Sequence, residues 1–224
     1  MAIKSHLQAG VTLIEMIVVV AIIAAVSSVI IFNYSDFSTN VSVRNLAQEV
    51  ALSIRKAQTY ATSARPIEGL SGVDSGSFPG YGISFATGDT VTPPDQMTPG
   101  PRQFILFAET RGGNENSYDK GMQCGNPVDG DECLESFGIT TADRITSICG
   151  SPNTSRANCY TNAQVDITFR RPSPDAVICM SALGGGSLPT FESCSVPYVV
   201  INLESAKGLK RAVMVWTTGQ ISVQ

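Results

Sequence analysis

The chain has almost no histidine. Among its 224 residues there is one, His6, so past that point neither a Ser-His-Asp nor a Cys-His arrangement for nucleophilic catalysis can be assembled. Zinc-type spacing is missing too. The 6 cysteines contain no C-x-x-C pair, which argues against a metal-thiolate centre. "GVDSG" at residues 72–76 misses the G-x-S-x-G elbow by its spacing, and "GGG" at 184–186 lacks the spacing and following helix of a nucleotide loop. Clustered positive charge, which phosphate binding needs, occurs only in "KGLKR" at 207–211. The formal net charge is −4, and no Arg or Lys follows Arg211. There is no internal repeat. The expectation is a protein that is not an enzyme, holds no cofactor and does not take nucleic acid as its partner.

What is present is unevenly spread. Hydrophobic residues make up 43% and charged residues 15% of the chain, but Met16 to Phe32 is apolar apart from Ser27 and Ser28. As a helix this run is about 26 Å long, close to the roughly 30 Å hydrocarbon thickness of a bilayer. A secretory signal would carry a shorter apolar core, and Glu15 would stand at its start. A short leader from Met1 to Gly10, basic through Lys4 and removed ahead of the run, keeps the apolar segment in the mature chain. Its loss takes the net charge of −4 to −5, because Lys4 is its only charged side chain. The length suits one folded domain with an appendage.

The stretch "GVTLIE" at residues 10–15, set directly before the apolar run, resembles the processing site of type IV prepilins and type II secretion pseudopilins. The resemblance implies that a prepilin peptidase cuts the Gly10–Val11 bond and that the new amino terminus, on Val11, is methylated. A glycine ahead of the cut has a physical reason, since a residue without Cβ lets an extended backbone lie close in a narrow cleft. Members most often have phenylalanine where this chain has Val11. A carboxylate in hydrocarbon costs about 2.5 to 3.5 kcal/mol, so Glu15 needs a compensating group. In the family that group is the freed amino terminus, usually of a neighbouring subunit, and Thr12 and Leu13 complete the assembly motif around it. The implied partners are the peptidase, other pilin or pseudopilin subunits and the inner membrane. The implied location is a single-pass inner-membrane protein with a periplasmic or extracellular C-terminal domain, assembled into a fibre. Many pilus-forming members have proline at the place of Phe32 and glycine at the place of Ala24; this chain has neither, which points to the minor pilin or pseudopilin branch. Two alternatives stand beside this reading. A DNA-capturing minor pilin would carry basic residues near the carboxyl terminus, and a protein simply anchored by one helix would need neither Gly10 nor Glu15.

Beyond the apolar run the helical period continues. Val43, Leu46, Ala47, Val50, Ile54, Ala57, Ala61 and Ala64 recur at spacings of three and four, with Arg44, Glu49, Arg55 and Lys56 off that stripe. The stripe reads as a face packed on the protein's own domain. Ser35 and Asp36 in "NYSD" are potential caps, where the helix has a place to break. Pro66 and the Gly- and Ser-rich loop "GLSGVDSGSFPG" end it near residue 64. From residue 80 the period becomes two, giving candidate strands at 80–86, 102–109, 144–149, 164–170, 176–182, 198–204, 209–216 and 219–223, the pair around "SAKG" being joined by a tight turn in which Gly208 supplies a positive φ. The fold class is α+β. Residues 1–10 form the leader, 11–65 a long helix with its membrane anchor at 15–32, and 66–224 an antiparallel β domain. The resemblance implies two packed sheets.

Cys124, Cys133, Cys149, Cys159, Cys179 and Cys194 all lie beyond the apolar run, which argues for disulfides in an oxidising compartment. An even set of this size allows about 15 pairings. Pairing in chain order closes short loops worth about 3 kcal/mol each in the chain-entropy model. The loop "ETRGGNENSYD" offers Glu109, Asn114, Asn116 and Asp119, hard oxygen ligands of the type calcium takes, at spacings unlike an EF-hand. Some pseudopilins bind calcium, and these four residues are the candidate ligands that resemblance suggests.

Overall fold

The computed structural model describes residues 10–63, 79–88, 97–109, 116–119, 121, 124–125, 131–150, 157–183, 194 and 196–224, apart from the side chains of residues 32, 33 and 35. The leader residues 1–9 and residues 64–78, on which the expected helix end and most of the glycine-rich loop fall, lie outside the described residues. Two compact units result, Met1–Thr39 and Asn40–Gln224.

One helix, α1, runs from Leu13 to Thr62. It passes through "NYSD" without a break. Ser and Asp favour caps by offering the backbone a local hydrogen bond, a preference of under about 1 kcal/mol per residue that propagation from flanking helix on both sides overrides. At its C-terminal end the hydroxyls of Thr59 and Thr62 donate to the carbonyl oxygens of Arg55 and Gln58 at 2.8 and 2.9 Å. The last turn itself has no basic residue to meet the helix dipole.

In the second unit, ten strands form two antiparallel five-stranded sheets. The strands are β1 Tyr81–Ala86, β2 Gln103–Ala108, β3 Cys133–Gly138, β4 Arg144–Gly150, β5 Asn158–Tyr160, β6 Ala163–Phe169, β7 Ala176–Ala182, β8 Tyr198–Glu204, β9 Lys210–Trp216 and β10 Ile221–Val223. One sheet has the order β3-β2-β1-β6-β7, the other β10-β9-β8-β4-β5. The expected stripe is what packs on them. Val43, Leu46, Ala47, Val50, Ile54, Ala57 and Ala61 join one core with Ile83, Phe85, Phe104, Val165, Ile167 and Phe169 of the first sheet and Ile145, Ile148, Val199, Ile201, Val213 and Val215 of the second. Ala64 lies outside the described residues.

The second sheet alternates as a sheet with one packed face should: in β8, Val199, Ile201 and Leu203 are buried while the residues between them are half-buried. The first sheet does not. Every residue of β1 is buried, because a small second core covers the outer face, made of Ile105, Phe107, Tyr118 and Cys133 with Cys124 against it. Gly82 makes room for this layer, since a Cβ there would lie 2.4 Å from the Phe107 ring. Strands β3 and β5 have no counterpart among the candidate strands. "CLESFG" lacks alternation, and its place at the edge comes from pairing with β2 and from Phe137 stacking on Phe104 at 4.9 Å. β5 spans three residues, and Cys159 stands directly opposite Cys149 in the ladder.

Candidate functional site

Gly10, Val11 and Thr12 precede the helix. A Cβ built on Gly10 meets nothing within 4 Å, so the chain's own packing does not require a glycine there. Thr12 is the N-cap: its Oγ1 accepts a hydrogen bond from the Glu15 backbone N–H at 3.3 Å, and its carbonyl accepts from Met16 N–H at 3.2 Å. T-x-x-E is the capping-box spacing, with Glu15 at the third helical position, where a negative side chain also meets the positive end of the helix dipole. Val11, Leu13 and Ile14 are exposed at 66%, 78% and 67%. From Leu13 onward all described side chains up to Ser38 are exposed, and this part of α1 is long and apolar enough to cross a membrane.

Of the calcium candidates, Glu109 follows β2 and its carboxylate is engaged. Its Oε1 accepts from the Asn116 backbone N–H at 2.5 Å, and its Oε2 accepts from Arg170 Nε at 3.0 Å and from Arg170 Nη2. A cation at Glu109 has to compete with that guanidinium. Asn116 has φ 66°, and its side-chain oxygen is buried without a hydrogen-bond partner. Asp119 is exposed, and its backbone N–H donates to Glu132 Oε2 at 3.0 Å. Asn114 lies outside the described residues. Among the described residues no group of three or more His, Cys, Asp or Glu side chains is placed to hold a metal ion.

The same loop meets a buried acid that no motif or spacing singles out. Asp166 on β6 is 2% exposed. It accepts hydrogen bonds from Ser84 Oγ at 2.5 Å, from Ser117 Oγ at 3.0 Å and from Gln164 Nε2 at 3.1 and 3.2 Å. Burial pushes its carboxyl up to about 6, against the opposing pull of Ser84, Gln164, Ser117 and the Tyr118 backbone. Tyr118 is raised well above the usual phenol range, first by burial and then by Asp131, Glu132 and Asp166. Its hydroxyl donates to the Met97 carbonyl at 2.6 Å. The arrangement clamps segment 116–119 to the outer face of the first sheet. Its hydrogen bonds tie Ser84, Gln164 and Ser117 to the one carboxylate.

The cysteines pair in chain order: Cys124 with Cys133, Cys149 with Cys159 and Cys179 with Cys194. Each closes a loop of 9 to 15 residues, and no cysteine is left free.

Residues 5–31 match the family model described as the prokaryotic N-terminal methylation motif, in keeping with type IV prepilin-like proteins. The match takes in Gly10, Val11, Thr12, Leu13, Glu15 and most of the apolar run. No curated protein and no solved structure matches the chain.

Proposed function

We propose that the protein is a structural subunit of a type IV pilus-like or type II secretion pseudopilus fibre. A pilin-like protein is what the methylation motif supports. One observation carries the finer reading: the motif takes in most of a helical segment whose apolar side chains are exposed on every side, while the rest of the same helix is built into a globular β unit. A peptidase removes residues 1–10, Val11 becomes the methylated amino terminus, and the membrane holds the subunit until the apolar segment is moved into the fibre core. In hydrocarbon and in a bundle of like helices alike, an all-round apolar surface is matched.

Glu15 and the new amino group lie within the first helical turn of one another in the chain. In the membrane or the fibre core, a lone carboxylate is unfavourable by several kcal/mol, and a cation from a neighbouring subunit offsets that penalty only in the correct axial register. Glu15 therefore selects register. The test is fractionation of Glu15→Leu beside the wild type, both expressed with a prepilin peptidase and companion pilins. The variant is expected to be cut and membrane-inserted but missing from sheared fibres. Fibre incorporation equal to wild type would contradict the assembly role.

A further inference from the structure

The turn joining β8 to β9 carries the one cluster of cations in an acidic chain, and the fold puts it at a particular end of the second unit. Arg211 Nη2 donates to Asn40 Oδ1 at 3.4 Å, and Ser42 Oγ donates to Asp143 Oδ2 at 2.5 Å. Asn40 is the first residue of that unit. At the far end of the same packed helix, Gln58 Nε2 donates to the carbonyls of Pro174 and Gly219 at 2.9 and 3.3 Å. The basic turn is thus at the end where the chain enters from its apolar segment. Lys207 and Lys210 are exposed there, with Arg144 and Arg44 exposed on β4 and α1 nearby. Of the carboxylates at this end, Asp143 is buried and takes the hydroxyls of Ser42 and Thr141. Glu204 stands in register between Arg144 and Lys210. Asp36, four residues ahead of Asn40 in the chain, is a third carboxylate, set against the five cations Lys207, Lys210, Arg211, Arg144 and Arg44.

Two further features suit contact with a lipid surface. Leu209, at the tip between Lys207 and Lys210, leaves 38% of its surface in solvent. The turn is stiff: Gly208 at φ 80° donates its N–H to the Ser205 carbonyl at 2.9 Å, and Leu209 N–H reaches Ser205 Oγ at 3.0 Å. Chain connectivity limits how far this turn can be from a bilayer that holds the apolar run. Between Phe32 and Asn40 even a fully extended chain spans at most about 28 Å, and a helix about 12 Å. The headgroup layer itself extends roughly 6 Å beyond the hydrocarbon.

We infer that Lys207, Lys210 and Arg211, with Leu209 between them, form a docking surface for the phosphates of an anionic bilayer, which orients the globular unit on the membrane before assembly. This rests on the membrane-anchor reading above. The attraction is electrostatic and fades within a Debye length of about 8 to 10 Å at physiological salt, so it is released once the subunit leaves the bilayer.

The test uses the full chain reconstituted in vesicles, with Ala206→Cys carrying a fluorophore and a headgroup-attached quencher in the lipid. All native cysteines are in disulfides. Quenching is expected to rise roughly threefold when about a third of a phosphatidylcholine bilayer is replaced by phosphatidylglycerol. It should fall back in high salt and in Lys207→Glu/Lys210→Glu, with the milder Lys207→Gln/Lys210→Gln pair intermediate. Quenching that is equal in neutral and anionic vesicles, or unchanged in both pairs, overturns the inference; so does loss of quenching only when an acidic protein or nucleic acid is added as competitor to a lipid-insensitive state. Flotation with neutral vesicles reads the anchor separately. If the chain fails to float, the anchor reading fails and takes this one with it, whereas flotation without charge-dependent quenching refutes the docking surface alone.

Discussion

Two stretches of one helix behave oppositely. Between Leu13 and Ser38, described side chains as apolar as Ile22, Ile23 and Ile30 leave more than half of their surface in solvent, at 58%, 59% and 62%. Between Asn40 and Thr62, Val50, Ile54 and Ala57 are completely buried. Backbone and period are the same in both, so the difference lies in how the apolar residues are distributed. A stripe of about 100° can be satisfied by one sheet surface, but an apolar circumference needs a partner on every side. A single β domain offers one side. The second stretch finds its partner inside its own chain, and the first has the surface that the proposed bilayer or bundle of other helices would match.

The largest effect that separates the two stretches should come from paired truncations. Ile54→Ala is expected to destabilise the globular unit by about 2–5 kcal/mol, through lost burial and the cavity left behind. Ile23→Ala should leave its thermal midpoint unchanged, and equal shifts would show that the exposed stretch packs on the domain after all. Next, replacing Cys149 and Cys159 together by alanine should remove about 3 kcal/mol, on the loop-closure argument. Chemical denaturation reads this, and helix content assigned to the apolar stretch should not follow it.

A third prediction concerns pH and again applies to the second unit alone. Asp166 has a folded-state value of about 6, above its usual 3.8. The protonated carboxyl is therefore favoured by folding, and its contribution is fully present below 3.8 and lost as pH rises to about 6. Stability of the globular unit should fall across that window, and Asp166→Asn should flatten the profile between those limits. A wild-type profile that is flat there, or rises, would remove the argument. The smallest effect belongs to the Lys56–Glu135 ion pair, whose side chains are 34% and 44% exposed. Glu135→Gln should cost about 0.2–1 kcal/mol and less in high salt. Lys56 also lies 5.4 Å from the centre of the Phe137 ring, so Lys56→Ala is expected to cost somewhat more.

The sequence was most legible where a period had a single cause. The stripe from Val43 to Ala61 and the alternation of β8 each reflect one packed face, and both can be read directly from residue spacing. The first sheet is harder to read because its outer face is covered by a segment whose burial depends on the completed fold. Asp166 was illegible for the same reason: an acid alternating with Val165 and Ile167 reads as the solvent side of a strand until Ser117 and Tyr118 close over it. β3 and β5 depend on edge pairing and nearby disulfides, neither of which leaves a periodic trace. At the processing motif, T-x-x-E serves two readings at once, a helix cap within the chain and a charge presented to a neighbour. The cap accounts for Thr12 in this structure. Gly10 has no such internal reason, and a requirement for glycine there has to come from outside the chain.

Mass spectrometry of the mature amino terminus, on protein made in cells that contain a prepilin peptidase, tests the central claim most directly. The account predicts a chain that begins at Val11 and carries one added methyl group on its amino nitrogen. An intact Met1, or a chain that begins after residue 25, would contradict it.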